Sequence, residues 1–208
     1  PVVNVIQVGA LEGGGRVLVE AVVEAKQETN PAGLAFISGQ LTQTPKENGK
    51  LMSELAPLAE RSVASMKTAL SGNGLEPADV LRVTCFTSAL GDAAKIRSLV
   101  TSAFPKAPLA MLQLEHDAAA NEVECESIAR LKTKPAEPVK LINPTNAQFA
   151  QMALVAAPSV VFTSTASGPA SDEGIRKMFT GLKSALEGGS SSLGKVFYTY
   201  GYPANPAM

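Results

Sequence analysis

The pattern of apolar and polar positions predicts one complete unit of strands and helices at residues 34–130. An apolar run at residues 34–37 predicts a first strand, closed by Ser38-Gly39-Gln40. Between residues 55 and 70, apolar side chains recur every three to four positions, which is the period of a helix with one buried face. The predicted order then continues as strand, helix, strand and strand, at residues 79–89, 92–104, 109–114 and 122–130.

The segments on either side of this unit match parts of it, so the chain carries an internal repeat. Residues 5–25 align without a gap on residues 111–131, with Gln7 opposite Gln113. Farther along, the matches are of residues 161–164 to 35–38, of 182–186 to 66–70, and of Val196 to Val83. The order is therefore the tail of one copy, a whole copy and the head of another.

This order predicts four segments. Residues 1–28 hold the last two strands of a copy, residues 29–131 a complete domain, residues 132–145 a proline-rich linker, and residues 146–208 the first half of a further copy. Two interpretations stay open: the half-copies close on each other as a permuted domain, or the chain is a piece of a longer array. The second is favoured, since a sheet without its covering helix would expose apolar surface.

The flanking segments have their own predicted elements. The glycine-rich stretch 12–15 joins two strands as a hairpin turn. In the last segment, the prediction is a strand pair around residues 156–158, a helix that starts at Ser171 or Asp172 and stops at Gly188-Gly189, and a final strand at residues 195–200.

Composition narrows the class of protein. The chain has 208 residues, 45% of them hydrophobic and 18% charged, which is typical of a globular protein. A net charge of -1 disfavours nucleic acid as a partner. No apolar run reaches the roughly 18 residues of a membrane span, so a soluble protein of the cytoplasm or an organelle matrix is expected.

Metal and cofactor sites are not predicted. One histidine and two distant cysteines cannot build a usual zinc site, and no motif indicates a cofactor. Cys85 and Cys125 both fall in predicted strands, which favours two buried, reduced cysteines over a disulfide.

Several motifs in this unit occur in the order found in a known family. They are Phe36-Ile37-Ser38-Gly39-Gln40, the segment 79–87, Phe104-Pro105 and the segment 123–129. Residues 34–130 thereby resemble the Rid (YjgF) family of reactive-intermediate deaminase proteins. The resemblance implies a chorismate-mutase-like fold, with a mixed sheet and two helices on one face, assembled as a trimer with ligand clefts between neighbouring units.

The resemblance also implies a chemistry, the hydrolysis of 2-imino acids to 2-keto acids and ammonia. In the family, an arginine after the Phe-Pro motif clamps the substrate carboxylate. Here Pro108 stands in its place, and the corresponding place in the N-terminal half-copy is Val2-Val3-Asn4. The usual deaminase activity is therefore not expected.

The other cleft positions are partly retained. Ser38 and Gly39 match the pair that lines the family's cleft, and Glu124 matches the carboxylate that orients the attacking water. Phe149 stands where the family has a cleft tyrosine, and Arg97, in the second helix, is a candidate replacement for the missing cation.

Three functional hypotheses follow. The first is a Rid-like module that binds a small carboxylate metabolite or serves as a scaffold, with other Rid-like copies or a larger assembly as partners. The second is an imine deaminase that uses Glu124 and Arg97. A third, more distant hypothesis rests on Pro1, because a prolyl amine is the general base of the tautomerase family.

Overall fold

The computed structural model describes residues 10–11, 30–45, 54–114, 120–143, 150–157, 159–163, 166–169 and 171–199. The chain divides into two compact units, one of residues 8–156 and one of residues 1–7 with 157–208. Each unit is described by itself. Phe149, Pro1, Val3 and most of the predicted N-terminal hairpin lie outside the described residues.

In the described residues, the larger unit is built on one mixed sheet of seven strands. The strands are β1 (Ala10–Leu11), β2 (Leu34–Pro45), β3 (Val80–Thr87), β4 (Leu109–Gln113), β5 (Ala120–Arg130), β6 (Val139–Ile142) and β7 (Met152–Val155). Their order across the sheet is β1-β4-β3-β5-β2-β7-β6. The β3 and β4 strands pair in parallel, and every other pair is antiparallel.

Two helices, α1 (Ala56–Ser71) and α2 (Ala93–Ala103), pack on one face of this sheet, which we call the covered face. The buried side of α1 is the predicted one and includes Leu58, Met66 and Leu70. From α2, Ile96 and Val100 enter the same core. The predicted α+β architecture of a mixed sheet with two helices on one face is therefore confirmed.

The α1 helix receives its N-terminal cap from a distant residue. Leu55 precedes the helix and offers no side-chain acceptor, so the Asp92 carboxylate accepts hydrogen bonds from the amides of Leu55 at 2.6 Å and Ala56 at 3.4 Å. These amides, with Lys95 nearby, hold the pKa of Asp92 below 3.8 despite its partial burial. Asp92 stands at the start of α2, as expected, but its side chain makes no capping bond there and fixes the start of α1.

We expect Asp92→Ala to lower the free energy of unfolding at pH 7 by about 1 to 2 kcal/mol, because the first turn of α1 loses an ionised acceptor. Since the folded-state pKa is depressed, this contribution is present above pH 3.8 and fades as the pH falls through the folded pKa. Urea unfolding at a series of pH values from 7 into the acid range measures it. Glu60→Ala, an exposed change on α1, is the control. A loss that stays constant over the whole series would contradict the role of the charge.

Parts of the sheet differ from the sequence-based prediction. The β2 strand does not close at residues 38–40 but continues to Pro45 through a bulge. Residues 139–142, assigned to a linker, form the edge strand β6, which pairs with β7. Residues 159–163, expected to be a strand, have no regular structure. The β7 strand pairs with β2 instead, and therefore extends the sheet of the larger unit.

The cysteine prediction was wrong. Cys85 on β3 lies directly opposite Cys125 on β5, with the Cα atoms 4.2 Å apart, and the two form a disulfide. Both side chains are fully buried on the covered face. Spacing along the chain could not reveal this bond, because only the register of β3 against β5 brings the two positions together.

Ser62 of α1 accepts a hydrogen bond from a backbone amide of β5 that the strand pairing leaves without an acceptor. The bulge in β2 interrupts pairing with β5, and the amide of Cys125 donates to Ser62 Oγ at 3.1 Å in a fully buried position.

We expect Ser62→Ala to lower the free energy of unfolding by about 1 to 3 kcal/mol, because the amide of Cys125 would lose its acceptor away from water. Chemical denaturation measures this loss. Ser65→Ala, on the exposed side of α1, should be nearly neutral; equal effects at the two positions would refute the assignment.

The smaller unit contains the helix α3 (Asp172–Gly188), with the predicted start and stop. Ser171 Oγ accepts from the amide of Gly174 at 3.1 Å and caps it. The predicted apolar stripe of α3 is largely exposed, as Ile175 and Phe179 show, and only Leu186 at its far end is buried. Residues 196–199, expected to be a strand, are irregular.

In the described part of the chain, no helix is long and apolar enough to cross a membrane.

Candidate functional site

The bulge in β2 forms one wall of the candidate site. Ile37 pairs with Ser127 and Gln40 with Cys125, so Ser38 and Gly39 together oppose a single residue of β5. The amide and hydroxyl of Ser38 both donate to the carbonyl of Gln151, each at 3.0 Å. The side-chain Nε2 of Gln40 donates to the carbonyl of Ser38 at 2.9 Å. These bonds fix the bulge on both sides.

Glu124 lies directly over this bulge. Its neighbours in β5, Val123 and Cys125, are buried on the covered face, so its side chain points to the opposite face, which we call the open face. A Cβ added at Gly39 would overlap the Glu124 carboxyl group and lie 2.6 Å from its Cγ. The absence of a side chain at Gly39 therefore lets the carboxyl group settle on the backbone. The structure brings Ser38, Gly39 and Glu124 together.

The environment of Glu124 favours its neutral form. Burial is the main cause of its raised pKa, and the negative charges of Glu126 and Glu122 add to it. All three glutamates alternate along β5 and share the open face. A carboxyl group with a raised pKa exchanges protons closer to neutral pH than an ordinary glutamate.

The cation nearest to this row in the strand register is Arg82. It shares the open face, and its Nη2 donates to Thr84 Oγ1 at 3.0 Å. Arg82 pairs with Ile128 and Phe86 with Glu124, so Arg82 lies four residues, or about 13 Å, along β3 from the position beside Glu124. The Arg82 guanidinium itself reaches back to Thr84, which pairs with Glu126.

Arg97 lies elsewhere in the larger unit. It belongs to α2 on the covered face, next to the buried Ile96, whereas Glu124 lies on the open face. The charges that act on the pKa of Glu124 are both negative. Within one chain, the structure does not bring Arg97 and Glu124 together, and the role assigned to Arg97 stays a prediction.

Pro108 occupies the position before β4 where the family's arginine is expected. Its carbonyl accepts from the amide of Val83 at 3.0 Å, which ties it to the sheet. A proline ring carries no hydrogen-bond donor and no charge. This position therefore contributes no group that could hold a carboxylate.

Sequence reasoning missed Glu122, Glu126 and Arg82. The signal was present, because positions two apart in a strand share a face, and Glu122 and Glu126 flank Glu124 with that spacing. Gln151, which holds Ser38, carried no such signal, since the pairing of β7 with β2 was not predicted. Among the described residues, no cluster of three metal-ligating side chains is present.

Comparison with known proteins gives several likenesses. No family model matches the chain. It is similar to protein DfrA of Myxococcus xanthus, with 30% identity over 98 residues that cover 46% of this chain and 75% of that protein.

Solved structures with a similar chain path include three bacterial proteins. Rv2704 of Mycobacterium tuberculosis, a member of the YjgF/YER057c/UK114 family, is 18% identical, with 50% of this chain and 82% of that chain covered and a TM-score of 0.38. YyfB of Yersinia pestis, of the Rid family, is 21% identical, with 50% and 83% covered and a TM-score of 0.41. TdcF of E. coli with bound serine is 22% identical, with 54% and 91% covered and a TM-score of 0.39.

Proposed function

We propose that this chain, which belongs to the same family as protein DfrA of Myxococcus xanthus, acts as a module for small-metabolite binding or assembly. Its larger unit is a Rid (YjgF) domain, and we expect it to lack the usual deaminase activity. The observation that carries this proposal is Pro108, which leaves the clamp position without a donor or a charge.

A binding role suits the retained geometry. Ser38, Gly39 and Glu124 form a fixed ledge in which the carboxyl group lies on the backbone of the bulge. Such a ledge favours a ligand that donates hydrogen bonds, such as an amine, an amide or a hydroxyl group, because Glu124 in either protonation state can accept one.

Imine hydrolysis is the second candidate function, and the raised pKa of Glu124 is the observation that favours it. A carboxyl group that titrates closer to neutral pH could orient and activate the attacking water. This function needs a carboxylate anchor, for which Arg97 is the candidate from this chain or from a neighbouring copy.

Ammonia release from freshly generated 2-iminopropanoate or 2-iminobutanoate separates the two functions. We expect release from the wild type at the uncatalysed rate, and the same from Glu124→Gln and Arg97→Ala. Catalysis that is lost in both variants but kept in Arg61→Ala, an exposed arginine of α1, would establish the deaminase and overturn the first proposal.

A gain-of-function variant sharpens the test. If the missing clamp is the main defect, Pro108→Arg should introduce measurable deaminase activity, and Pro108→Arg with Glu124→Gln should abolish it. Pro108→Ala is the matched control for loss of the proline ring. A Pro108→Arg protein that folds but stays inactive would show that the site lacks more than the arginine.

We also propose assembly with further Rid-like copies, either as a homo-oligomer or as a pseudo-trimer of copies within a longer chain. Half-buried apolar side chains on the open face, among them Phe36, Phe86 and Ile128, support an interface there. The tandem arrangement and a cytoplasmic location belong to the same proposal. Light scattering tests it: a stable trimer of chains would argue against the pseudo-trimer, and a compact monomer against the homo-oligomer.

A further inference from the structure

A second cleft lies on the covered side of the sheet, away from Glu124. It has a volume of about 370 Å³ and is lined by residues 73–75, residues 131–137, Lys140 and Leu154. We call it the lysine cleft. Clefts of this volume lie within the range of small-molecule sites.

The floor of the lysine cleft is apolar. Leu75, which follows α1, is 4% exposed, and Leu131, which follows β5, is 8% exposed. Leu154 of β7 packs against the same core. These three leucines would contact the carbon skeleton of a bound molecule.

The rim of the cleft is basic. Lys132, Lys134 and Lys140 line it, together with one acidic residue, Glu137. The Lys132 ammonium is held by Glu76 at 2.9 Å and Asp79 at 3.3 Å, and these contacts raise its pKa. Its charge is therefore already balanced, and its main effect is to fix the wall of the cleft.

Lys134 and Lys140 differ from Lys132 in this respect. Both are exposed, and neither has an acidic partner within the described ranges. Lys140 pairs with Leu154 in the β6–β7 register, so one cation stands directly beside the apolar floor. Two uncommitted ammonium groups against one carboxylate leave the rim with a positive excess.

We propose that the lysine cleft binds a small organic anion, a carboxylate or phosphate monoester with an apolar body. The anionic group meets Lys134 and Lys140, and the body lies on Leu75, Leu131 and Leu154. This site is separate from the candidate site at Glu124, because the sheet lies between them. It therefore does not depend on the function proposed for Glu124.

Titration with phenyl phosphate, followed by amide NMR shifts and calorimetry on the full chain, tests this proposal. We expect the shifts to concentrate at residues 73–75 and 131–140. Lys134→Gln with Lys140→Gln should weaken binding about tenfold, since two exposed charge contacts are lost. Lys67→Gln with Lys106→Gln removes two exposed lysines outside the cleft and should leave binding unchanged.

Two further probes separate the parts of the proposed ligand. Phenol and inorganic phosphate should each bind more weakly than phenyl phosphate, because each provides only half of the contacts. The proposal is overturned if phenol binds as well as phenyl phosphate, if the two double variants behave alike, or if the shifts follow surface lysines throughout the chain. Binding that the Glu124→Gln variant abolishes would assign the anion to the other site and overturn it as well.

Discussion

Loss of the Cys85–Cys125 disulfide is expected to lower the free energy of unfolding by about 4 kcal/mol. The bond closes a loop with a sequence separation of 40 residues, and the entropy that such a loop removes from the unfolded chain corresponds to a stabilisation of this size. The effect should be large because the bond joins β3 to β5 at the centre of the sheet.

Denaturant unfolding of the oxidised protein, with and without a reducing agent present throughout the equilibration, measures this difference. The variant Cys85→Ala with Cys125→Ala is the control, and its midpoint should not respond to the reductant. Thiol counting under denaturing conditions gives an independent check. Two free thiols in protein isolated with its thiols protected would contradict the bond and agree with a reducing compartment.

Gly33→Ala is expected to lower the free energy of unfolding by about 3 kcal/mol. Gly33 has a φ of 98°, where a side chain is strained, and a Cβ there would overlap the carbonyl oxygen of Val155. The backbone cannot easily move aside, because the carbonyl of Gly33 accepts from the amide of Leu131 at 2.9 Å. The strain and the overlap act together at the point where β2, β5 and β7 meet.

Thermal and urea unfolding of the Gly33→Ala and Gly91→Ala variants compares the stabilities that result from the two substitutions. An added Cβ at Gly91 meets nothing within 4 Å and its φ is not positive, so that variant should be nearly neutral. Equal stabilities would contradict the close approach of Val155 to Gly33.

Much of the larger unit could be predicted because its elements carry their own signals. The apolar spacing of α1 and the glycines after it specify a helix whose buried side was correctly identified. The β6 strand had no such signal, since Val139–Ile142 is short, half exposed and close to three prolines. It forms because β7 offers a free edge, and this is a property of the assembled sheet.

The candidate site also combines features that the sequence predicts with features that depend on the folded sheet. Glu124 and Gly39 could be chosen from a motif, but their contact depends on a bulge that resembles a turn in the sequence, because Ser-Gly-Gln is typical of both. The effects of Glu122 and Glu126 on the pKa of Glu124 depend on strand alternation. The separation of Arg97 from Glu124 depends on which face α2 covers. The spacing of residues along the chain does not show which face of the sheet a helix covers.

The bulge in β2 also changes which face each later residue of the strand occupies. Before it, odd-numbered residues such as Ala35 and Ile37 enter the core; after it, Gln40 pairs with Cys125 on the covered side and Leu41 with Glu124 on the open side. The alternation of side chains between the two faces therefore changes phase at Ser38 and Gly39. Inserting or deleting one residue at the bulge would leave the alternation before it unchanged and would move every later side chain of the strand to the opposite face. The number of residues in the bulge is therefore as constrained as any side chain in the core.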